Sequence, residues 1–474
     1  MRKLENLEPC RVFYYFEQIC AIPRGSGNMK GIADYCESFA KEHSLKYRRD
    51  EWDNVVIYKD GQSGSAPIIL KGHLDMVCQK TENRDIDFLN DGIDVYADGD
   101  FIKARDTSLG ADNGIAVAMI LAILERNDIA APPIEAVFTT DEEIGLIGAS
   151  NLDTSLLSSK RMINLDSEED DILTVSCAGG SDFLVKLPLC RSKRSGTHIT
   201  LNLKGLKGGH SGVEIDKHRV NANILTGRFL NHLKSVCDFG IISIDGGDKA
   251  NAIPNLCSVK LCCEDPELLC KAAEEYYHTV KKEINFQEES FIIETVIGEK
   301  SEYEAFGSEP ITRILCTTPN GIMEMSAQIE GLVETSLNLG IMKTDADFIT
   351  LQYALRSNIQ SCLSFLEEKL KAFFGFVDCH IETFGHYPPW EFKSDSPLQE
   401  LYKQVYNEHF GFPIKTQALH AGLECSSFAA KIEDIDCIAV GPNIFDVHSV
   451  NERLGITSVK NFYGLLIKVL EKCV

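Results

Sequence analysis

The chain has 474 residues, 44% of them apolar, enough to build a sizeable core and bury roughly 75% of the unfolded surface. That excludes a disordered protein and a small disulfide-stapled scaffold. Lys and Arg number 47 against 71 Asp and Glu, a net charge of −24, which leaves no electrostatic footprint for nucleic acid or an anionic membrane.

The 17 cysteines are scattered, odd in number and without CxxC spacing, so free and mostly buried thiols in a reducing cytoplasm are expected. No apolar run follows Met1-Arg-Lys, so no secretory leader is expected, and the longest apolar stretch, Gly114 to Leu124, is too short to span a bilayer.

In chain order, Pro67–Leu70, Ala136–Phe138 and Arg161–Leu165 read as buried strands, and Gly114–Arg126 as a buried helix. Strands alternating with helices predict a mostly parallel central sheet flanked by helices. Around Leu187–His198 the chain turns basic and loop-like. Beyond it, Ile199–Lys204 and Ser258–Cys263 alternate as half-exposed strands do, and Phe348–Leu355 has strand-like composition. Amphipathic helices are expected at Glu267–Glu283 and Ser361–Phe374. A Pro-containing joint at Phe384–Pro389 precedes a return to α/β texture, with a helix near Pro397–His409 and a strand at Asp436–Val440. The fold class is therefore α/β: a discontinuous catalytic domain (1–187 and 388–474) with an inserted α+β domain (188–387).

Several apolar strands end in metal-type ligands. One leads to His73 and Asp75, a second to Asp141, Glu142 and Glu143, a third to Asp166, and a fourth, through Gly441-Pro-Asn-Ile-Phe-Asp446, to His448. Asp112 lies in a Gly-Ala-Asp-Asn-Gly loop just before the buried helix. In open α/β sheets the ligand site lies beyond the carboxyl ends of the strands, so these residues can converge. Two histidines and three or more carboxylates suit borderline divalent metals, above all Zn, with Mn or Co as options. A pair of ions ~3.5–4 Å apart can bind and deprotonate one water. Of two adjacent glutamates, one can ligate metal while its unligated neighbour takes a proton. Taken singly, each residue has an ordinary reading: His73 a satisfied core histidine, Asp112-Asn113-Gly114 a helix cap, Glu142-Glu143 a solvated pair, and Asp166 part of an acidic surface run. The joint pattern at strand ends points to a dinuclear metal hydrolase.

Gly72-His-Leu-Asp-Met-Val77, Gly110-Ala-Asp-Asn-Gly114, Thr140-Asp-Glu-Glu-Ile-Gly145 and Asn164-Leu-Asp166 closely resemble the metal-site motifs of the aminoacylase/carboxypeptidase-G clan of dinuclear zinc peptidases. Within that clan, Leu206–Gly212, Asn251-Ala-Ile-Pro254 and His420-Ala-Gly-Leu-Glu-Cys425 resemble the aminoacyl-histidine dipeptidases, or cytosolic non-specific dipeptidases. The resemblance runs from about Leu7 to the C-terminus. It implies that Asp112 bridges two metals, that His73 and Asp166 complete one site, and that Glu143 and His448 complete the other. It further implies Glu142 as general base, Asp75 as support for His73, and a cis peptide after Asp112. By the same resemblance His210 would stabilise the oxyanion, and Asn251, Arg356 and His420 would bind substrate. From spacing alone, Arg356 reads rather as a surface salt-bridge partner on the inserted domain. The implied substrates are dipeptides, Xaa-His among them, and the inserted domain would act as a lid and as the surface of a homodimer. Alternatives are an N-acyl amino acid deacylase, an aminotripeptidase or a carboxypeptidase of the same clan, and, from another class, a non-catalytic metal-binding protein.

Overall fold

The computed structural model describes residues 3–474; Met1 and Arg2, where the leader was sought, lie outside the described residues. The chain divides into two compact units. The first comprises residues up to Cys177, Phe392–Ala418 and Leu423–Val474; the second comprises Ala178–Glu391 with Leu419–Gly422.

The first unit is built on an eight-stranded sheet. Its strands lie in the order Lys46–Arg49, Val55–Lys59, Ile134–Thr139, Ile68–His73, Arg161–Asn164, Asp436–Ala439, Ile172–Cys177 and Lys415–Leu419. Ile134–Thr139, Ile68–His73, Arg161–Asn164 and Asp436–Ala439 pair in parallel, whereas Lys46–Arg49, Val55–Lys59 and Ile172–Cys177 join antiparallel. The expected parallel sheet thus describes the centre, and the flanks make it mixed. The central strands Ile68–His73 and Ile134–Thr139 are buried along their whole length, as strands covered on both faces must be. The Ala111–Glu125 helix is buried on almost every side, which explains its unbroken apolar run. Against it pack Val12, Phe13, Phe16 and Ile19 of the Cys10–Cys20 helix in the unit's main core.

The second unit carries a nine-stranded sheet. Its path runs through Cys257–Cys263, Arg191–Lys204, Ile292–Gly307, Phe239–Gly246, Val333–Thr344, Phe348–Ser357, Gly179–Pro188 and His380–Tyr387, with Gly321–Met325 paired to Val333–Thr344. Leu351, Tyr353 and Leu355 enter a core shared with Leu363, Leu366 and Leu370 of the Gln360–Phe374 helix. Strand alternation therefore places Gln352, Ala354 and Arg356 on the other face of the sheet.

The division falls at Cys177–Ala178 rather than at Leu187, and Leu419–Gly422 belong with the second unit. The basic segment around Leu187–His198 is not a linker: Gly179–Pro188 and Arg191–Lys204 are both strands of the second sheet. Between Leu187 and His198 only Leu187 and Gly196 are buried, so the segment is a largely exposed stretch of strand, which composition alone does not distinguish from a loop. All 17 cysteines are free.

Candidate active site

The first unit brings the strand-end residues together. His73 closes the Ile68–His73 strand and is 1% exposed. Its parallel neighbours end at Thr139 and Asn164, so the loops carrying Asp141–Glu143 and Asp166 leave from the same edge of the sheet. A Cβ on Gly72 would stand 2.8 Å from Asn113 Oδ1, so only glycine lets the strand pass this close. That same oxygen accepts the His73 backbone N–H at 3.1 Å, and Asn113 Nδ2 donates to the Leu165 carbonyl at 2.8 Å. One asparagine thus ties the strand bearing His73 to the loops bearing Asp112 and Asp166. The Asp112–Asn113 peptide is cis, and so is Glu8–Pro9.

Asp112 uses its two oxygens differently. Oδ1 lies 3.1 Å from His73 Nε2, and Oδ2 lies 3.1 Å from His448 Nε2. Asp166 Oδ1 stands 3.4 Å from the same His73 nitrogen, and Glu143 Oε1 stands 3.0 Å from the same His448 nitrogen. Donor atoms of His73, Asp112 and Glu143 all lie within 4.8 Å of one another, a spacing that can hold a cation. The set has two arms joined at one carboxylate.

The electrostatics fit that donor set. Burial works against a charge on His73, yet Asp166, Asp112 and Asp75 raise its proton affinity well above the ordinary value. Hydrogen bonds that His448 donates to Asp112 and Glu143 carry it to about 11 despite partial burial. The field that holds a proton at each imidazole is the field a divalent cation would meet there. Three carboxylates and two imidazoles suit two such ions in charge and in ligand type. Glu142 is pushed well above the usual carboxyl range by burial, with His73 opposing and Asp166, Glu424 and Glu143 reinforcing. Among the described residues its carboxylate makes no hydrogen bond.

Asp75 does more than orient one imidazole. Its Oδ1 lies 3.3 Å from His73 Nδ1 and accepts the Glu142 backbone N–H at 3.0 Å; Oδ2 accepts the Glu143 N–H at 3.2 Å and the Ser26 hydroxyl at 2.8 Å. Burial disfavours its charge, but His73 and these donors hold it at about 2. One buried carboxylate therefore sets the register of both glutamates against His73.

Sequence reasoning passed over several residues beneath the site. Lys71 is fully buried on the same strand as His73, ion-paired with Glu424 and 3.7 Å from Asp166 Oδ2. Thr139 Oγ1 donates to Glu424 Oε2 at 2.8 Å. Burial lowers the Lys71 ammonium, and the charges of Glu424 and Asp166 more than restore it. The signal was legible: a lysine inside an apolar strand must find a buried partner. Arg24 and Glu452, both buried, touch the Asp112 loop and left no comparable mark in the sequence. Cys78 and Cys425 have thiols pushed up by burial, as packing residues do.

The remaining predicted residues lie in the second unit. His210 Nδ1 faces the backbone N–H groups of Gly212 and Val213, each at 3.1 Å. Both are donors, so Nδ1 is the acceptor and Nε2 carries the proton. Burial and the nearby Arg356 lower its pKa, with Glu214 opposing. Arg356 is 8% exposed, donates from Nη1 to Tyr387 Oη at 2.8 Å, and keeps an Nε without a hydrogen-bond partner among the described residues. Asn251 and Arg356 line a polar cavity of about 310 Å³ together with Tyr387 and Asp182.

His420 differs from its expected role. It is 6% exposed, with Nε2 2.7 Å from Ser336 Oγ and Nδ1 3.2 Å from Asn358 Oδ1. Asn358 Nδ2 already donates to the Leu419 carbonyl, so its Oδ1 is the acceptor and His420 Nδ1 the donor. Both ring nitrogens are engaged within the unit, which leaves none for a substrate. Burial, Arg356 and His210 hold the ring neutral, down to about 3.

Residues 69–472 match the sequence model of peptidase family M20/M25/M40. The cytosol non-specific dipeptidase of Escherichia coli (strain K12) is 34% identical over 481 aligned positions, covering 100% of this chain and 99% of that protein. Aminoacylhistidine dipeptidase from Vibrio alginolyticus superposes with a TM-score of 0.90 at 34% identity, over 99% of this chain and 98% of that one. Aminopeptidase PepT from Bacillus cereus ATCC 10987 shares the fold, with a TM-score of 0.58 at 14% identity over 98% of this chain and 99% of that one.

Proposed function

The chain belongs to peptidase family M20/M25/M40, and on that premise we propose that it is a cytosolic metallo-dipeptidase that cleaves dipeptides, Xaa-His among them. The observation that carries this reading is the split use of Asp112, one oxygen toward His73 and the other toward His448. Two divalent ions, zinc in this reading with cobalt or manganese able to substitute, would be held by His73, Asp112 and Asp166 on one arm and by Asp112, Glu143 and His448 on the other. When bound they would supply Lewis acidity.

The chain's own residues would do the rest. Glu142, whose backbone is pinned by Asp75 and whose carboxylate makes no hydrogen bond among the described residues, takes the proton of the attacking water and returns it to the leaving amine. Asp75 keeps His73 and both glutamates in register. His210, preset with a proton on Nε2, donates to the oxyanion. Arg356 has an unpartnered Nε suited to a substrate carboxylate, and Asn251 shares its cavity. His420 enters this reading as a support for Ser336 and Asn358 rather than as a substrate ligand. Pairing of two copies through the second unit is part of the same reading, supported by Phe286, Val296 and Ile297, which are left exposed there.

The test is hydrolysis of Ala-His, Ala-Ala, Ala-Ala-Ala and N-acetyl-alanine by zinc-reconstituted protein, with and without chelator. Chelator-sensitive cleavage confined to the two dipeptides is expected. Cleavage of the tripeptide or the acetyl compound instead would place the chain with a tripeptidase or deacylase activity. Inertness toward all four, with two metals bound, would remove the enzyme reading.

A further inference from the structure

Glu452 makes an unusual set of hydrogen bonds. It is 3% exposed, and its carboxylate accepts four consecutive backbone N–H groups. Oε2 takes those of Leu109 and Gly110 at 2.7 and 2.9 Å; Oε1 takes those of Ala111 and Asp112 at 2.8 and 3.3 Å. These amides belong to the loop that presents Asp112 and to the start of the Ala111–Glu125 helix. Asp112 and Asn113 depart there from helical geometry, with ψ of 106° and 25°, so no regular helical turn holds the aspartate. Gly110 sits in the left-handed region at φ 68°. A loop of this kind has several orphan amides and little intrinsic preference for one conformation.

Glu452 also lies in the loop that carries His448, on the far side of the sequence from Asp112. One side chain therefore fastens one metal-type ligand's loop to another's. Arg24 holds the opposite side: 2% exposed, it donates to the Leu74 and Asp75 carbonyls at 3.0 Å each and to the Gly110 carbonyl. The result is a buried relay of contacts from the His73–Asp75 turn, through Arg24 and Gly110, to Glu452 and the His448 loop. The carboxylate also places a negative charge beside Asp112 where solvent does not reach it. Such an arrangement is costly unless a cation offsets it or the amides satisfy it.

We propose that Glu452 is a positioning residue that sets the distance between Asp112 and His448 and thereby the affinity for the ion on the Glu143–His448 arm. This rests on the two-ion reading above. The carboxylate is required in this role because each of its oxygens serves two donors. In Glu452→Gln the amide nitrogen would confront two of the four N–H groups, and the loop would be free to move by the few tenths of an ångström that metal coordination does not tolerate.

The experiment is a calorimetric titration of metal-free protein with Zn²⁺, on wild type, Glu452→Gln and Glu452→Asp, each checked for native secondary structure by circular dichroism. Wild type is expected to take two ions. Glu452→Gln is expected to take the first with wild-type affinity and the second at least about 10-fold more weakly, the usual scale for losing a residue that orients a metal ligand. Glu452→Asp, which keeps the charge but is one methylene shorter, should fall between them. Hydrogen exchange at the amides of residues 109–112 supplies a reading on unmodified protein: in metal-free wild type they should already be protected. Unprotected amides, or wild-type affinity for both ions in Glu452→Gln, would overturn the proposal. Failure of wild type to bind two ions would instead overturn the metal-site reading on which it rests.

Discussion

Glu142 and Glu143 are neighbours with separate surroundings. Glu143 Oε1 lies 3.0 Å from His448 Nε2, whereas the Glu142 carboxylate makes no hydrogen bond among the described residues. In the proposed reaction that difference gives them different work, and it predicts that Glu142→Gln keeps full metal content, measured by elemental analysis, while kcat falls by about 10²–10⁴-fold, the range for losing a general base. A variant with near wild-type turnover would remove Glu142 from the chemistry. His420 gives a pH prediction. Its ring is held neutral down to about 3, below an unfolded value of ~6.5. Below ~6.5 the unfolded chain takes up a proton that the folded chain refuses, so this contribution to stability is complete above ~6.5 and is lost as the pH falls toward 3. The slope is up to about 1.4 kcal/mol per pH unit from this group alone. Urea unfolding followed across that window should show a shallower decline in His420→Gln than in wild type; parallel declines would mean that the ring does not stay neutral.

At the scale of elements, the strand Ile68–His73 does two jobs that its sequence states in succession. Ile68, Ile69 and Leu70 are fully buried in apolar surroundings, and then Lys71, Gly72 and His73 serve the site. Lys71 carries a charge into a buried place where Glu424 and Asp166 compensate it, with Glu142 adding to them. Removing one member of such a buried pair leaves the other uncompensated, so Lys71→Met should lose about 3–5 kcal/mol of stability in denaturant unfolding. Lys71→Met combined with Glu424→Gln should recover part of that loss, because the stranded carboxylate is gone. If the double variant is as unstable as the sum of its single changes, the two side chains are not coupled. Glycine at position 72 is dictated by the next element over: the helix that begins near Asp112 approaches so closely that Asn113 reaches the strand backbone.

At the scale of the whole molecule, all the metal-type ligands lie in the first unit, while His210, Asn251, Arg356 and His420 lie in the second. A ligand that binds only the folded form stabilises the part it binds, by about 2.7 kcal/mol at 100 times its dissociation constant. Adding zinc to metal-free protein should therefore slow hydrogen exchange in residues up to 177 and in 423–474, and a chelator should reverse it. Equal protection across residues 178–391 would show that the ions are held elsewhere as well. The net charge of −24 acts at this scale too, since carboxylates concentrated around a cation site favour loading and repel one another when it is empty.

Local pattern alone carries the metal-type chemistry. Ligand types at strand ends, paired glutamates after one strand and a histidine beyond another are local facts, and a strand-then-ligand pattern can be read without knowing which strands are neighbours. It also determined the α/β class, because apolar runs and helical periodicity are local. The tertiary structure decided what depends on adjacency between distant residues. It joined Gly179–Pro188 to the second sheet, because its partners are Phe348–Ser357 and His380–Tyr387. It made the first sheet mixed, since strand direction is set by pairing and not by composition. It showed that His420 spends both nitrogens on Ser336 and Asn358. It brought Glu452 onto four amides of the Asp112 loop, a contact that no local pattern announces, because a surface glutamate and a buried one read alike until the fold supplies the donors.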